Sequence, residues 1–99
     1  MTINKTQDGN SLTVALEGRL DTTTAPQLEG DLKDSITADI TELTFDLKEL
    51  QYISSAGLRV LLSTQKRMDK QGSMRIINAN EDLMDIFEVT GFVEILTIV

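Results

Sequence analysis

The chain has 99 residues, of which 40% are apolar and 25% charged, proportions that suit one small globular domain spanning residues 1–99. Cysteine and histidine are both absent, which excludes disulfides, thiolate nucleophiles, a Ser-His-Asp triad and zinc sites built on these ligands. Sixteen acidic residues against nine basic ones give a net charge of −7, which disfavours nucleic acid as a partner and favours a protein with a basic surface.

The hydropathy of the chain gives no indication of a membrane segment. No apolar run approaches the roughly 18 residues of a membrane span. Residues 1–5 lack the apolar region of a signal peptide. We therefore expect a cytoplasmic protein without membrane insertion.

The first predicted elements are two strands and a helix. Strands over 3–6 and 11–17 are joined by an Asp-Gly-Asn turn at 8–10. Apolar residues alternate along the second strand, as a half-buried strand requires. A helix is predicted over 25–36, because Pro26 is allowed in the first turn and one apolar stripe recurs every fourth residue, formed by Leu28, Leu32 and Ile36.

Strands and helices alternate through the rest of the chain. The predicted elements are a strand at 43–47, a helix over 55–71 stopped by Gly72, a strand at 74–77, a helix capped by Asn80 and ended by Gly91, and a strand at 94–98. The order ββαβαβαβ predicts an α/β fold in which helices pack on a small mixed sheet.

The most informative segment is 52–62, Tyr-Ile-Ser-Ser-Ala-Gly-Leu-Arg-Val-Leu-Leu, which opens the helix after the 43–47 strand. Sites in open α/β sheets gather at the carboxyl ends of strands, and a helix N-terminus favours an added anion. Ser54 and Ser55 are therefore candidates to accept a phosphoryl group. The alternative is that these serines only cap the helix, although neither has the Glu or Gln three residues later that completes a capping box. Gly57 is unfavourable in a first turn, and we interpret it as bare backbone that another molecule approaches closely.

Two blocks of the sequence, 18–28 and 45–58, carry a family resemblance. The first contains Gly-Arg-Leu-Asp at 18–21 before the first predicted helix, and the second contains Phe-Asp-Leu at 45–47 and Tyr-Ile-Ser-Ser-Ala-Gly-Leu at 52–58. Together they resemble the STAS-domain anti-sigma factor antagonist family, and the resemblance extends over essentially the whole chain. It implies a small, partly parallel sheet with helices packed mainly on one side.

The resemblance also implies a phosphorylation-controlled switch that binds proteins and is not an enzyme. An anti-sigma factor that is also a serine/threonine kinase binds the unphosphorylated chain and releases it after phosphorylation, and a serine phosphatase resets the switch. The acceptor maps to Ser55, two residues before Gly57, with Ser54 as the second choice. Ser54 takes a position often held by aspartate, and Ala56 takes one often held by serine or threonine.

The predicted partner interface contains residues from both blocks: Asp21, Thr23, Ser54, Ser55, Ala56, Gly57 and Arg59. Local chemistry offers alternatives for some of them. Asp21 also fits a turn acid, and Thr23 and Thr24 also fit helix caps. Arg59 either faces solvent or meets an acid on the partner.

One other function is compatible with this sequence, and two further ones lack the residues that they require. A non-switching STAS adaptor of a lipid-transport or stress-signalling assembly would use the serines only as caps. An enzyme with Ser55 as nucleophile lacks histidine, cysteine and a Gly-x-Ser-x-Gly elbow. A nucleotide-binding module lacks both glycine-rich phosphate-binding motifs. We expect a free monomer with no catalytic residue, metal or cofactor.

Overall fold

Four strands form one mixed sheet in the order β1-β2-β3-β4. The computed structural model describes residues 1–99. Its elements are β1 (Thr2–Asp8), β2 (Ser11–Leu20), α1 (Ala25–Ser35), β3 (Glu42–Ile53), α2 (Ser55–Asp69), β4 (Ser73–Ile77), α3 (Glu81–Val89) and a 3₁₀ turn (Phe92–Glu94). β1 pairs antiparallel with β2, whereas β2–β3 and β3–β4 are parallel. The predicted α/β class with a small mixed sheet is confirmed.

The two central strands are longer than the sequence pattern predicts. Pairing of β2 with β3 continues as far as Leu20 opposite Ile53, past two register shifts at each of which β3 has one more residue than β2. Gly18 lies at the second shift with φ = 100°, a backbone conformation that glycine adopts at low cost. The shifts break the apolar alternation of β3 after Leu47, which is why that strand was predicted to end early. β2 keeps its alternation as far as Leu20, but Gly18 stands where an apolar residue would have extended the prediction.

One face of the sheet and the inner faces of the helices make a common core. Twenty-three apolar residues are buried in a single cluster. The predicted stripe of α1 is buried at Leu28, Leu32 and the adjoining Ile36. In α2 the buried face includes Leu58, Leu61, Gln65 and Met68, as the helical spacing predicts. No helix combines the length and apolar character needed to cross a membrane.

The last predicted strand, 94–98, is wrong. Gly91 has a left-handed backbone, φ = 78°, and turns the chain into the 3₁₀ turn. The tail then touches β4 at a single bridge, Ile76 opposite Ile98. Only Leu96 of the tail is buried, whereas Ile95 is 48% exposed. Apolar residues alone therefore misled the strand assignment, because this segment pairs with β4 at one bridge only and buries just one of them, Leu96.

Gly72 has a different role from the predicted helix stop. α2 ends at Asp69, earlier than predicted, and Gly72 does not have a positive φ. Its N–H donates to the Met68 carbonyl at 2.6 Å. A Cβ at this position would lie 1.9 Å from the Thr41 carbonyl oxygen. Glycine is required here because two backbone segments touch.

Candidate functional site

The parallel pairing of β2 with β3 brings the two sequence blocks to one edge of the sheet. Arg19 is opposite Tyr52, and Leu20 is opposite Ile53. The Ser54 N–H donates to the Leu20 carbonyl at 2.8 Å. The turn that follows β2 and the first turn of α2 are therefore neighbours, although the sequence separates them widely.

The two serines at the start of α2 have different environments. Ser54 is half-buried and is the N-cap, its Oγ accepting a long hydrogen bond of 3.4 Å from the Gly57 N–H. Ser55 is the first residue of the helix and is exposed. No hydrogen bond within the chain involves the Ser55 hydroxyl. Capping therefore falls to Ser54 and leaves the Ser55 hydroxyl free.

Gly57 faces the protein interior, which corrects the interpretation of this residue as exposed backbone. It is buried in the first turn of α2. A Cβ there would lie 2.7 Å from Leu20 Cγ and 2.9 Å from Ile53 Cγ1. Glycine lets the helix start sit directly on the ends of β2 and β3. It positions the neighbouring serines.

Asp21 organises the turn between β2 and α1. Its Oδ1 accepts hydrogen bonds from the backbone N–H groups of Thr23 at 2.9 Å and Thr24 at 3.1 Å. Its carbonyl accepts from the Ala25 N–H at 2.8 Å. The local geometry of Asp21 is therefore that of a turn residue whose carboxylate accepts backbone hydrogen bonds, as one of the two sequence-based interpretations expects.

The predicted threonine caps are wrong. Thr24 precedes α1 but makes no side-chain hydrogen bond to the helix. Its hydroxyl donates to the Arg19 carbonyl at 2.8 Å and accepts from the Asp21 N–H at 2.8 Å. Thr23 is exposed and contributes its N–H to Asp21. The ionised Asp21 carboxylate is the stronger acceptor, so it takes the N–H groups that precede the helix.

The pKa of Asp21 lies below its usual value of 3.8, chiefly because its carboxylate accepts the Thr24 N–H. Partial desolvation opposes this shift, and the Thr23 N–H, the Thr24 hydroxyl and Arg19 add to it. A depressed folded-state pKa means that ionised Asp21 stabilises the fold fully above the usual pKa. That contribution is lost as the pH falls through the lower, folded-state pKa.

We predict that an NMR titration of the Asp21 carboxyl gives a pKa below 3.8. Asp21→Asn keeps an acceptor for the turn but does not titrate. The unfolding free energy of this variant should consequently lose less between neutral and acidic pH than that of the unmodified protein. A midpoint at or above 3.8, or identical pH profiles, would contradict the assignment of this turn.

Sequence reasoning missed a stacked pair beside the site. The Arg19 guanidinium lies 4.3 Å from the centroid of the Tyr52 ring, and Arg19 Nε lies 3.9 Å from Asp21 Oδ2. Tyr52 is 37% exposed. Such cation–π contacts require the cross-strand register of β2 and β3. Both residues lie inside the quoted blocks, but nothing in either block alone indicates that they meet.

A groove of about 310 Å³ runs between the starts of α1 and α2. Thr22 and Pro26 line it from one side, and Ala56 and Arg59 line it from the other. Thr23, which the sequence placed in the interface, does not line this groove. Thr22, which it did not select, does.

Comparisons with known proteins agree with this fold. The STAS domain family model matches residues 2–99. The anti-sigma-B factor antagonist of Bacillus subtilis is 33% identical over 93 residues, which cover 93% of this chain and 84% of that protein. The crystal structure of an anti-sigma factor antagonist from Mycobacterium paratuberculosis covers 98% of this chain and 83% of that one, with a TM-score of 0.88 at 21% identity.

SpoIIAA of Bacillus has the same fold. Its phosphorylated form aligns with a TM-score of 0.77 at 15% identity, covering 99% of this chain and 91% of that one. Its unphosphorylated form aligns with a TM-score of 0.78 at 14% identity, covering 99% and 87%. The chain belongs to the STAS domain family. Within that family it groups with the anti-sigma factor antagonists.

Proposed function

We propose that this chain is an anti-sigma factor antagonist whose binding to a partner is switched off by phosphorylation of Ser55. The observation that carries the proposal is the contrast between the two serines. Ser54 caps α2, whereas Ser55 is exposed with an uncommitted hydroxyl. The name of the Bacillus subtilis relative supports the antagonist role, and SpoIIAA is a fold neighbour that exists in both phosphorylated and unphosphorylated forms.

The surface available to a partner surrounds Ser55. We call Asp21, Thr22, Ser55, Ala56 and Arg59 the switch surface. Asp21 and its hydrogen-bonded turn form one side, and the first turn of α2 forms the other. Thr23 is exposed next to this surface, and Ser54 and Gly57 hold its helix in place. The backbone is tied down on both sides, so the partner meets a preformed surface.

Phosphorylation changes the charge of the switch surface and leaves the fold intact. A phosphoryl group adds about −1.5 to −2 charge at neutral pH. The N-terminus of α2 accommodates this charge, because its free N–H groups and dipole favour an anion. Even where the partner is basic overall, a surface that is acidic at this point repels the new charge, and one that is apolar there desolvates it. Partner release therefore needs no refolding.

The chain contributes the acceptor, and the partner contributes the chemistry. Without histidine, the chain offers no imidazole general base beside Ser55. The partner kinase supplies ATP, Mg²⁺ and the positioning of the hydroxyl, and a serine phosphatase removes the phosphate. The chain itself is not an enzyme. Since sigma factors act in transcription, we place this exchange in the cytoplasm of a bacterial cell.

We predict that the unmodified protein, used as bait in host lysate, recovers a serine/threonine kinase that phosphorylates it once, on Ser55. Fragment mass spectrometry locates the phosphate. Ser55→Ala should abolish incorporation, and the matched Ser54→Ala should retain it. If phosphate incorporation persisted in Ser55→Ala but not in Ser54→Ala, the acceptor would be Ser54 and not Ser55. Tight kinase binding without phosphate on either serine would favour the non-switching adaptor.

A further inference from the structure

The side chain of Arg59 lies back over the first turn of α2. Arg59 is four positions after Ser55 on an α-helix, so the two residues share one face. Arg59 Nε donates a long hydrogen bond of 3.5 Å to the Ser55 carbonyl oxygen. Both side chains are exposed. The guanidinium is thus exposed on the same helix face as the proposed acceptor and within reach of its turn.

Arg59 has no carboxylate partner. The ion pairs of the chain join Lys5 to Asp31 and Arg19 to Asp21. Glu29 of α1 is the acid that lines the groove with Arg59, but it forms no ion pair with it. On the adjoining turn, Asp21 is occupied by backbone N–H groups and Arg19. A full positive charge therefore stands uncompensated beside Ser55.

We propose that Arg59 is the internal counter-ion of the phosphoryl group on Ser55 and holds that group against the first turn of α2. This inference rests on the proposed phosphorylation and assigns a function to a residue that the phosphorylation itself does not require. In the transfer, the Ser55 Oγ–phosphorus bond forms, the bond from the γ-phosphorus of ATP to ADP breaks, and the hydroxyl proton leaves with the kinase's base. The new dianion then lies on the helix face from which Arg59 projects.

The pairing has a chemical basis in the guanidinium group. Arginine is always charged and presents parallel N–H donors that match two phosphate oxygens. Lysine has the same net charge, but it is concentrated on one ammonium group, which cannot donate two parallel hydrogen bonds in the way that a guanidinium can. The pair should therefore favour the dianionic phosphate over the monoanion, and a residue that only packs on the surface would not do so.

The test uses protein with phosphoserine incorporated at position 55 during translation, so it needs neither kinase nor partner. A ³¹P NMR titration measures the second pKa of the phosphate, which is about 6 when unperturbed. Arg59→Gln should raise this pKa by about 0.15–0.4 units relative to the parent protein. Arg59→Lys should raise it by less, because the charge remains.

Lys66→Gln is the matched control, because it removes one exposed positive charge from a later turn of the same helix. Its phosphate should titrate as in the parent. Equal midpoints for the parent and Arg59→Gln, or equal shifts in Arg59→Gln and Lys66→Gln, would overturn the counter-ion. A normal Arg59 effect in a phosphoprotein that still binds the kinase tightly would instead overturn the switch and leave the counter-ion standing.

Discussion

Ser55→Glu should bind the partner kinase about 30-fold or more weakly than the unmodified protein, since a repelled charge at an interface costs several kcal/mol. The same charge lies at the start of α2, where it should be neutral for folding or stabilise it by about 0.3–1 kcal/mol. Affinity should fall while the melting temperature holds or rises. Calorimetric titration and a thermal melt of the same sample measure the two effects separately.

Ser55→Ala is the matched control for this prediction. It removes the acceptor and keeps a small side chain, so kinase binding should be unchanged. Its stability should change little, because Ser54 and not Ser55 caps the helix. Ser54→Ala should instead lose about 0.5–2 kcal/mol of unfolding free energy. If Ser55→Glu lost binding only because it unfolded, the segment would be structural and the electrostatic switch would be contradicted.

The change in unfolding free energy caused by three glycine-to-alanine substitutions should depend on which atoms the new methyl group contacts. Gly72→Ala should be the most destabilising, by about 3 kcal/mol or more, because its Cβ would lie 1.9 Å from a backbone carbonyl oxygen that cannot rotate away. Gly57→Ala should cost about 1–3 kcal/mol, since it meets the buried side chains of Leu20 and Ile53. Urea denaturation of each variant measures these differences.

Gly30→Ala is the control in this series. Gly30 lies in α1 with nothing within 4 Å of the added Cβ. Alanine there should stabilise the fold by about 0.5–1 kcal/mol through helix propensity and a less flexible unfolded chain. If Gly72→Ala were as stable as Gly30→Ala, the close contact between Gly72 and Thr41 would be contradicted.

The helices were predictable because the apolar residues spaced three or four apart in the sequence are the ones buried in the structure. Leu28, Leu32 and Ile36 lie where the period of a helix places them. The end of β3 was not predictable, because its register shifts move the buried positions out of alternation. Beyond Leu47, β3 buries Leu50 and then Ile53, a spacing that does not read as a strand. The tail after Gly91 was misassigned because its apolar residues have no strand to pair with beyond one bridge.

Local sequence was enough to select Ser54 and Ser55 as candidate acceptors, but it did not show the different structural roles of the two serines and Gly57. Only the structure shows that Ser54 accepts from the Gly57 N–H and that Gly57 packs on Leu20. The contact of Arg19 with Tyr52 depends on the pairing of two strands that are distant in sequence. Such contacts follow from register, which a short motif does not specify.

The most direct test of the switch compares two samples of this chain in calorimetric titrations against the kinase. One carries an unmodified Ser55 and the other carries authentic phosphoserine at 55, and a non-hydrolysable ATP analogue prevents transfer during the measurement. We predict that phosphorylation weakens binding by about 30-fold or more while the thermal melt shows a folded protein. Equal affinities for the two samples would contradict the account.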